Sequence, residues 1–294
     1  MHKTLNLLLY GSLFTVLILV VAALVFLLGV HFMHLEKPVV ANLSSSVNIS
    51  SINGETGQGM YGSGVIFING DKTFVWTCGH VVQNNVISHP SINYKTKKVT
   101  FGVQINEIEV HSKLFNKWHQ ESGDIMIKAR PIRYSFKDDL CLLELNNNKI
   151  FRNGVDFPTT SSYSPSPGSK VFHIGSMGGP NGFGSVSEGI YGMRGIHKFG
   201  QYLDRVGMGL EGGSSGGGVF EATSGRCVGL MCQKINVSQG YIIPFREMFK
   251  YCQRMDCVWA MDPTVEVPWN YRAIFTDETA NIPAGILKIL EANP

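Results

Sequence analysis

Three short stretches of this sequence place residue types together that could carry out nucleophilic chemistry. His80 lies in T-C-G-H-V-V (77–82), just past the apolar run F-V-W-T. Asp139 lies in K-D-D-L-C-L-L-E-L (137–145), directly before an apolar run, and Ser215 lies in the glycine-rich G-G-S-S-G-G-G (212–218). A serine hydroxyl is a weak nucleophile at neutral pH. It needs an imidazole to accept its proton and a carboxylate to fix the imidazole's tautomer and stabilise its charged form. The glycines around Ser215 allow backbone angles that aim amide N–H groups at one point. Donors at Gly213 and Ser215 would hold a tetrahedral oxyanion, and losing one such donor costs about 3 to 4 kcal/mol of transition-state stabilisation. Taken singly, each stretch has a plainer reading: a strand-ending His, a turn Asp, a glycine turn. In the order His, Asp, Ser, separated by 59 and 76 residues, they suit a triad assembled from different strands and loops.

The elements that would position these residues are strands. From about Met60, short apolar or alternating runs such as G-V-I-F-I (64–68), K-V-T-F-G-V-Q-I (98–105), L-C-L-L-E-L (140–145), K-V-F-H-I-G (170–175) and C-V-G-L-M-C-Q-K-I (227–235) are separated by Gly, Asn, Pro and Ser. These are strand lengths with turn punctuation. Helical periodicity is convincing only near Phe245–Met255 and at the far end. Many short strands with few helices predict an all-β barrel or sandwich.

With these motifs in place, the stretch from Met60 to Met255 resembles a trypsin-like peptidase, closest in texture to HtrA/Deg-type and viral members. T-C-G-H-V-V resembles the family's histidine motif. D-L-C-L-L resembles its aspartate motif, which selects Asp139 over Asp138, and G-S-S-G-G-G-V-F resembles its serine motif. The resemblance implies two six-stranded antiparallel β-barrels of chymotrypsin-like form, with the site in the cleft between them. It implies hydrolysis of polypeptide through an acyl-enzyme, with no metal or cofactor, and an oxyanion hole built from the N–H groups of Gly213 and Ser215. The substrate pocket would involve Gly209, Cys232 and Gln233. Gly209 stands six positions before Ser215, where basic-specific relatives carry a carboxylate, so a small or medium apolar side chain is the expected preference. Cys78 and Cys141 replace small family residues and read as buried hydrophobes. Cys232 falls where relatives place a Ser near the Asp. The alternative to an endopeptidase is a catalytically silent member serving as an anchored binding or structural module, and an esterase would use the same acyl chemistry.

The ends of the chain divide differently. Thr4 to Val30 contains no charged residue, and an apolar run of this length is that of a bilayer-crossing helix. The expected organisation is a flank at 1–4, a single transmembrane helix at 5–32, a flexible Ser/Asn/Gly-rich linker at 33–59, the peptidase domain at 60–255 and a tail at 256–294. Lys3 places the amino terminus in the cytoplasm by the positive-inside bias, and the peptidase domain outside. The tail is expected to pack on a barrel through Trp259, Trp269 and Tyr271. The formal charge of +3 is spread out, with no Lys/Arg cluster for a nucleic-acid partner. Six cysteines form no C-x-x-C pair, so a zinc knuckle has no support. Self-association into a homo-oligomer is left open.

Overall fold

The alternating runs fold into strands that close on themselves. The computed structural model describes residues 18–21, 38–52, 59–93, 98–105, 108–116, 120–146, 151, 153–198, 200–272 and 275–276. In chain order its strands are β1 (Ser46–Ile52), β2 (Gly59–Asn69), β3 (Lys72–Cys78), β4 (Val86–Asn93), β5 (Lys98–Ile105), β6 (Ile108–Phe115), β7 (Glu121–Ser135), β8 (Leu140–Leu145), β9 (Lys170–Gly175), β10 (Ser185–Lys198), β11 (Gln201–Met208), β12 (Gly218–Glu221), β13 (Cys227–Asn236), β14 (Gln239–Pro244) and β15 (Phe275–Thr276). A helical turn α1 (Gly79–Val82) follows β3, and the helix α2 (Phe245–Arg254) follows β14.

Strands β7-β6-β1-β2-β3-β8 run antiparallel, and β7 also pairs with β8, which closes a six-stranded barrel. Strand β15 adds to β7 in parallel on its outside. Strands β10-β11-β14-β13-β12-β9 form a second closed barrel. Closure removes the unpaired edges that open sheets must otherwise protect. β4 and β5 pair with each other as a separate hairpin. The two closed six-stranded barrels are those expected from the chymotrypsin-like resemblance.

Ile66, Val75 and Leu143 share one face of the first barrel's strands, and Phe74, Trp76 and Leu142 share the opposite face, which the tail and α2 cover; all are fully buried. Burying one such side chain contributes about 1.5–3 kcal/mol. Val171, Tyr191, Val206, Val219 and Ile242 fill the second. Helix α2 carries Phe245, Met248 and Cys252 at i, i+3 and i+7, the spacing of one buried face. That face packs back toward the first barrel. Tyr251 meets Trp76 edge-on at 6.1 Å between ring centroids, and Phe245 stacks on Phe157 at 5.9 Å.

One boundary and one packing contact differ from the sequence expectation. The linker assigned to 33–59 contains a barrel strand. Residues 38–43 form a helical turn, and Ser46–Ile52 is β1, paired with β2 on one side and β6 on the other. Hydrogen bonds reconcile two of its serines with burial: Ser46 Oγ donates to Asn42 O at 3.1 Å and Ser51 Oγ donates to Asn85 Oδ1. Val47 and Ile49 alternate with these polar residues and enter the core. The tail packs on the first barrel through Trp259 and Tyr271, but Trp269 is 93% exposed. The turn that brings Tyr271 N to Pro268 O (3.0 Å) turns Tyr271 inward and leaves Trp269 outside.

The apolar run assigned to residues 5–32 lies outside the described residues except for 18–21, which are helical and exposed. Among the described residues, no helix is long and apolar enough to cross a membrane.

Candidate active site

His80 and Asp139 meet because of strand register. β3 and β8 run antiparallel with Cys78 opposite Leu140, so the residue two past the end of β3 faces the residue just before β8. The His80 Nδ1 lies 2.9 Å from both Asp139 carboxylate oxygens, and the His80 backbone N–H donates to Asp139 Oδ1 at 2.8 Å. A ring nitrogen facing a carboxylate carries the proton, which leaves Nε2 as the acceptor. Both side chains remain partly exposed, 31% for His80 and 20% for Asp139.

Asp139 is held in an unusual backbone conformation. Its φ is +52°, a left-handed value that costs a residue with a Cβ on the order of 1–3 kcal/mol. The surrounding turn maintains it: Asp139 N donates to Phe136 O, and the neighbouring Asp138 accepts from Ser135 Oγ at 2.6 Å and pairs with Arg254. The two adjacent carboxylates therefore have different work. Asp138 ties the turn to α2, and Asp139 faces the imidazole.

Ser215 sits in the turn before β12. Its carbonyl accepts from Ser63 N at 2.7 Å, and the next residue, Gly216, donates to Met231 O at 2.7 Å. Gly216 has φ +85°, and a Cβ there would fall 2.2 Å from Ser63 O and 2.3 Å from Thr77 Oγ1. No other residue type fits that approach without displacing the backbone. The same region approaches His80. A Cβ on Gly62 would lie 2.6 Å from the methyls of Val81, the residue after His80, and 3.0 Å from Ser215 O. The serine loop is thus packed against the end of β3 from which His80 projects. The Ser215 hydroxyl donates to Cys232 O at 3.3 Å.

The loop spends some N–H groups and not others. Ser214 N donates to Glu211 O, Gly216 N to Met231 O, and Gly217 N to Ser214 O. Among the described residues, neither Gly213 N nor Ser215 N donates to a backbone carbonyl. N–H donors not committed within the turn are what an oxyanion site requires.

Buried thiols surround the carboxylate. Cys78 Sγ donates to Met231 O at 3.2 Å and Cys232 Sγ donates to Tyr241 O at 3.3 Å. Burial first, and then the negative charge of Asp139, push both thiols well above their ordinary pKa. Cys232 therefore stands close to Asp139 without bonding it. Cys78 Sγ, a His80 nitrogen and an Asp139 oxygen lie within 4.8 Å of one another, the spacing of a metal-ligand set. A cation there would have to strip the raised proton from Cys78 and break the His80–Asp139 pair. All six cysteines are buried free thiols.

At the expected pocket, Gly209 is exposed and a Cβ on it would meet open space. Gln233 is exposed and Cys232 is buried. The 209–212 segment runs along the β13–β14 hairpin, with Leu210 N donating to Val237 O at 3.1 Å. The rejected rivals stand apart: His111 pairs with Glu109 across 3.5 Å in β6, and Asp124 faces Lys113 in the β6–β7 register. His119 lies outside the described residues.

A family profile for the trypsin-like peptidase domain matches residues 62–230, more than half of the sequence. The chain belongs to the trypsin-like peptidase family. Among solved structures this peptidase is similar to the serine endoprotease from Yersinia pestis, with a TM-score of 0.55 at 17% identity. The match covers 75% of this chain and 66% of that one, just under two thirds of its length. At that identity the likeness is one of fold. A search of curated proteins returns no match.

Sequence reasoning overlooked two residues of this trypsin-like peptidase. Ser63 binds the serine loop through two of its atoms, the backbone N and the hydroxyl Oγ, and the only signal for it was a Ser between two glycines on an apolar strand. His173 is buried beneath the same loop, its Nδ1 donating to Gly218 O at 3.0 Å. Burial lowers its pKa to about 4. In sequence it is one polar residue inside K-V-F-H-I-G.

Proposed function

We propose that this trypsin-like peptidase is a serine endopeptidase in which Ser215 is the nucleophile, His80 the general base and Asp139 the group that orients and stabilises the imidazole. The observation that carries the reading is the doubly bonded His80–Asp139 pair lying beside a serine loop in which, among the described residues, the Gly213 and Ser215 N–H groups donate to no backbone carbonyl. Ser215 Oγ attacks the scissile carbonyl while His80 Nε2 takes its proton. The tetrahedral oxyanion falls between Gly213 N–H and Ser215 N–H. His80 then protonates the leaving amine, and water releases the acyl group by the same steps in reverse. Asp139 already accepts from both the ring and the backbone of His80, so the imidazolium forms without reorganisation of its partner.

The Ser215 hydroxyl bonds Cys232 O in this state, which favours the second reading, a catalytically silent module. Rotation about χ1 of Ser215 is the motion that catalysis requires, and such hydrogen bonds commonly tighten only when substrate is bound. The absence of a carboxylate at Gly209, where a Cβ would meet open space, supports a small or medium apolar substrate residue before the scissile bond. The run at 5–32 supports a single-pass anchor, with the peptidase domain on the extracytoplasmic side by the Lys3 bias.

Incubation with an unstructured polypeptide, followed by mass spectrometry of the products, tests the activity. The expected outcome is internal cleavage by the wild type and none by Ser215→Ala. Cleavage confined to Arg or Lys sites would contradict the pocket assignment.

A further inference from the structure

The oxyanion-forming loop is held from outside, by a residue of the first barrel. Ser63 lies in β2 opposite Asn48 of β1 and is fully buried. It stands just before the β2–β3 ladder begins at Val65, so its own polar groups are free to go elsewhere. Its backbone N–H donates to Ser215 O at 2.7 Å. Its hydroxyl donates to Gly213 O at 2.7 Å and accepts from Ser176 N at 2.8 Å. Its carbonyl accepts from Thr77 Oγ1 at 2.8 Å. Every polar atom of Ser63 is used, and two of these bonds grip the carbonyls of Gly213 and Ser215, the residues whose N–H groups form the proposed oxyanion hole.

The grip matters because Gly213 is a conformationally permissive residue. Its φ is +91°, and a Cβ there would fall 2.2 Å from Ser176 O. A glycine in that region has little intrinsic preference for one peptide orientation over another. The peptide that carries Gly213 O is fixed by the Ser63 hydroxyl on one face, while Gly178 N holds Gly212 O at 2.7 Å on the other side of the residue. Ser176 N, at the end of β9 in the second barrel, binds the same hydroxyl. One oxygen therefore joins the first barrel, the second barrel and the serine loop.

We infer that Ser63 is a positioning residue for catalysis, whose hydroxyl fixes Gly213 so that its N–H and that of Ser215 converge on the developing oxyanion. The inference rests on the proposed endopeptidase reading. Ser63 touches no substrate atom. It acts through the carbonyl it holds, and its effect belongs to the transition state and not to ground-state binding.

The test compares the purified full-length wild type with Ser63→Ala and Ser63→Cys on a quenched fluorescent peptide that the wild type cleaves. The cysteine keeps the buried volume but is a weak donor. Both variants are expected to lose about ten- to hundredfold in kcat, the range for a displaced catalytic donor, with KM within about threefold. Unfolding midpoint and circular dichroism report whether each is folded. A folded variant with wild-type kcat overturns the inference, as does a loss that appears only in KM. If neither variant folds, the Ser63 bonds serve the fold and not the loop, which overturns it as well. A wild type that cleaves no peptide refutes the endopeptidase reading itself, an outcome distinct from a wild type that is active alongside an equally active Ser63→Ala.

Discussion

His80, Asp139 and Ser215 are named by short motifs, whereas the residues that support them are named only by contact. A buried histidine shows the difference. His173 is fully enclosed, its Nδ1 hydrogen is used on Gly218 O, and its Nε2 has no hydrogen-bond partner among the described residues. Desolvation is the first cause of its pKa falling from 6.5 to about 4. The sign follows: between these values the unfolded chain binds a proton that the folded chain refuses, so stability rises with pH across this window. The contribution is complete above pH 6.5 and is lost as the pH falls to about 4, on the order of 3 kcal/mol in all. Thermal unfolding followed from pH 7 to pH 4 should show that decline in the wild type and a flatter profile in His173→Asn. Parallel profiles would refute the assignment. Nothing in K-V-F-H-I-G distinguishes this residue from a solvated strand histidine, because its burial comes from Gly217 and Gly218, more than forty positions away.

Strands were legible where apolar residues alternate or run together, and illegible where burial is bought by hydrogen bonds. β8, L-C-L-L-E-L, is apolar enough to be read directly; β1, S-V-N-I-S-S-I, is not, since three serines and an asparagine suggest a solvated tether. Its assignment to the barrel depends on pairing with β2 and β6 and on polar partners that composition does not reveal. The attachment of α2 was likewise hidden. Asp204 of β11 is fully buried and receives two bonds from Arg246, at 2.5 and 2.6 Å, together with Tyr191 OH and Gly195 N. Arg246 lies in the first turn of α2, so this pair fixes the start of the helix to the second barrel while its apolar face packs toward the first. Removing one partner strands a buried charge, and Asp204→Ala should lower the unfolding free energy by about 3–5 kcal/mol in denaturant titration. A loss below about 1 kcal/mol would mean the pair is dispensable.

At the scale of the whole molecule, two closed barrels meet where the end of β3, the start of β8 and the turn before β12 converge. The register of β3 against β8 joins His80 to Asp139. Bonds with Ser63 and Met231 bring the Ser215 loop to the same place. The fold class was readable because strand patterns and turn residues agree along the chain, and the pair of carboxylates at 138–139 was separated by the resemblance of D-L-C-L-L to the family's aspartate motif. What no local pattern could supply was the contact between barrels. The proposed function requires that this convergence activates Ser215. Intact-mass analysis after treatment with a fluorophosphonate probe measures that directly. One covalent adduct is expected on the folded wild type, mapped to Ser215 and absent from both Ser215→Ala and His80→Ala. A folded wild type that remains unlabelled, or an adduct that persists in Ser215→Ala, would contradict the proposed function.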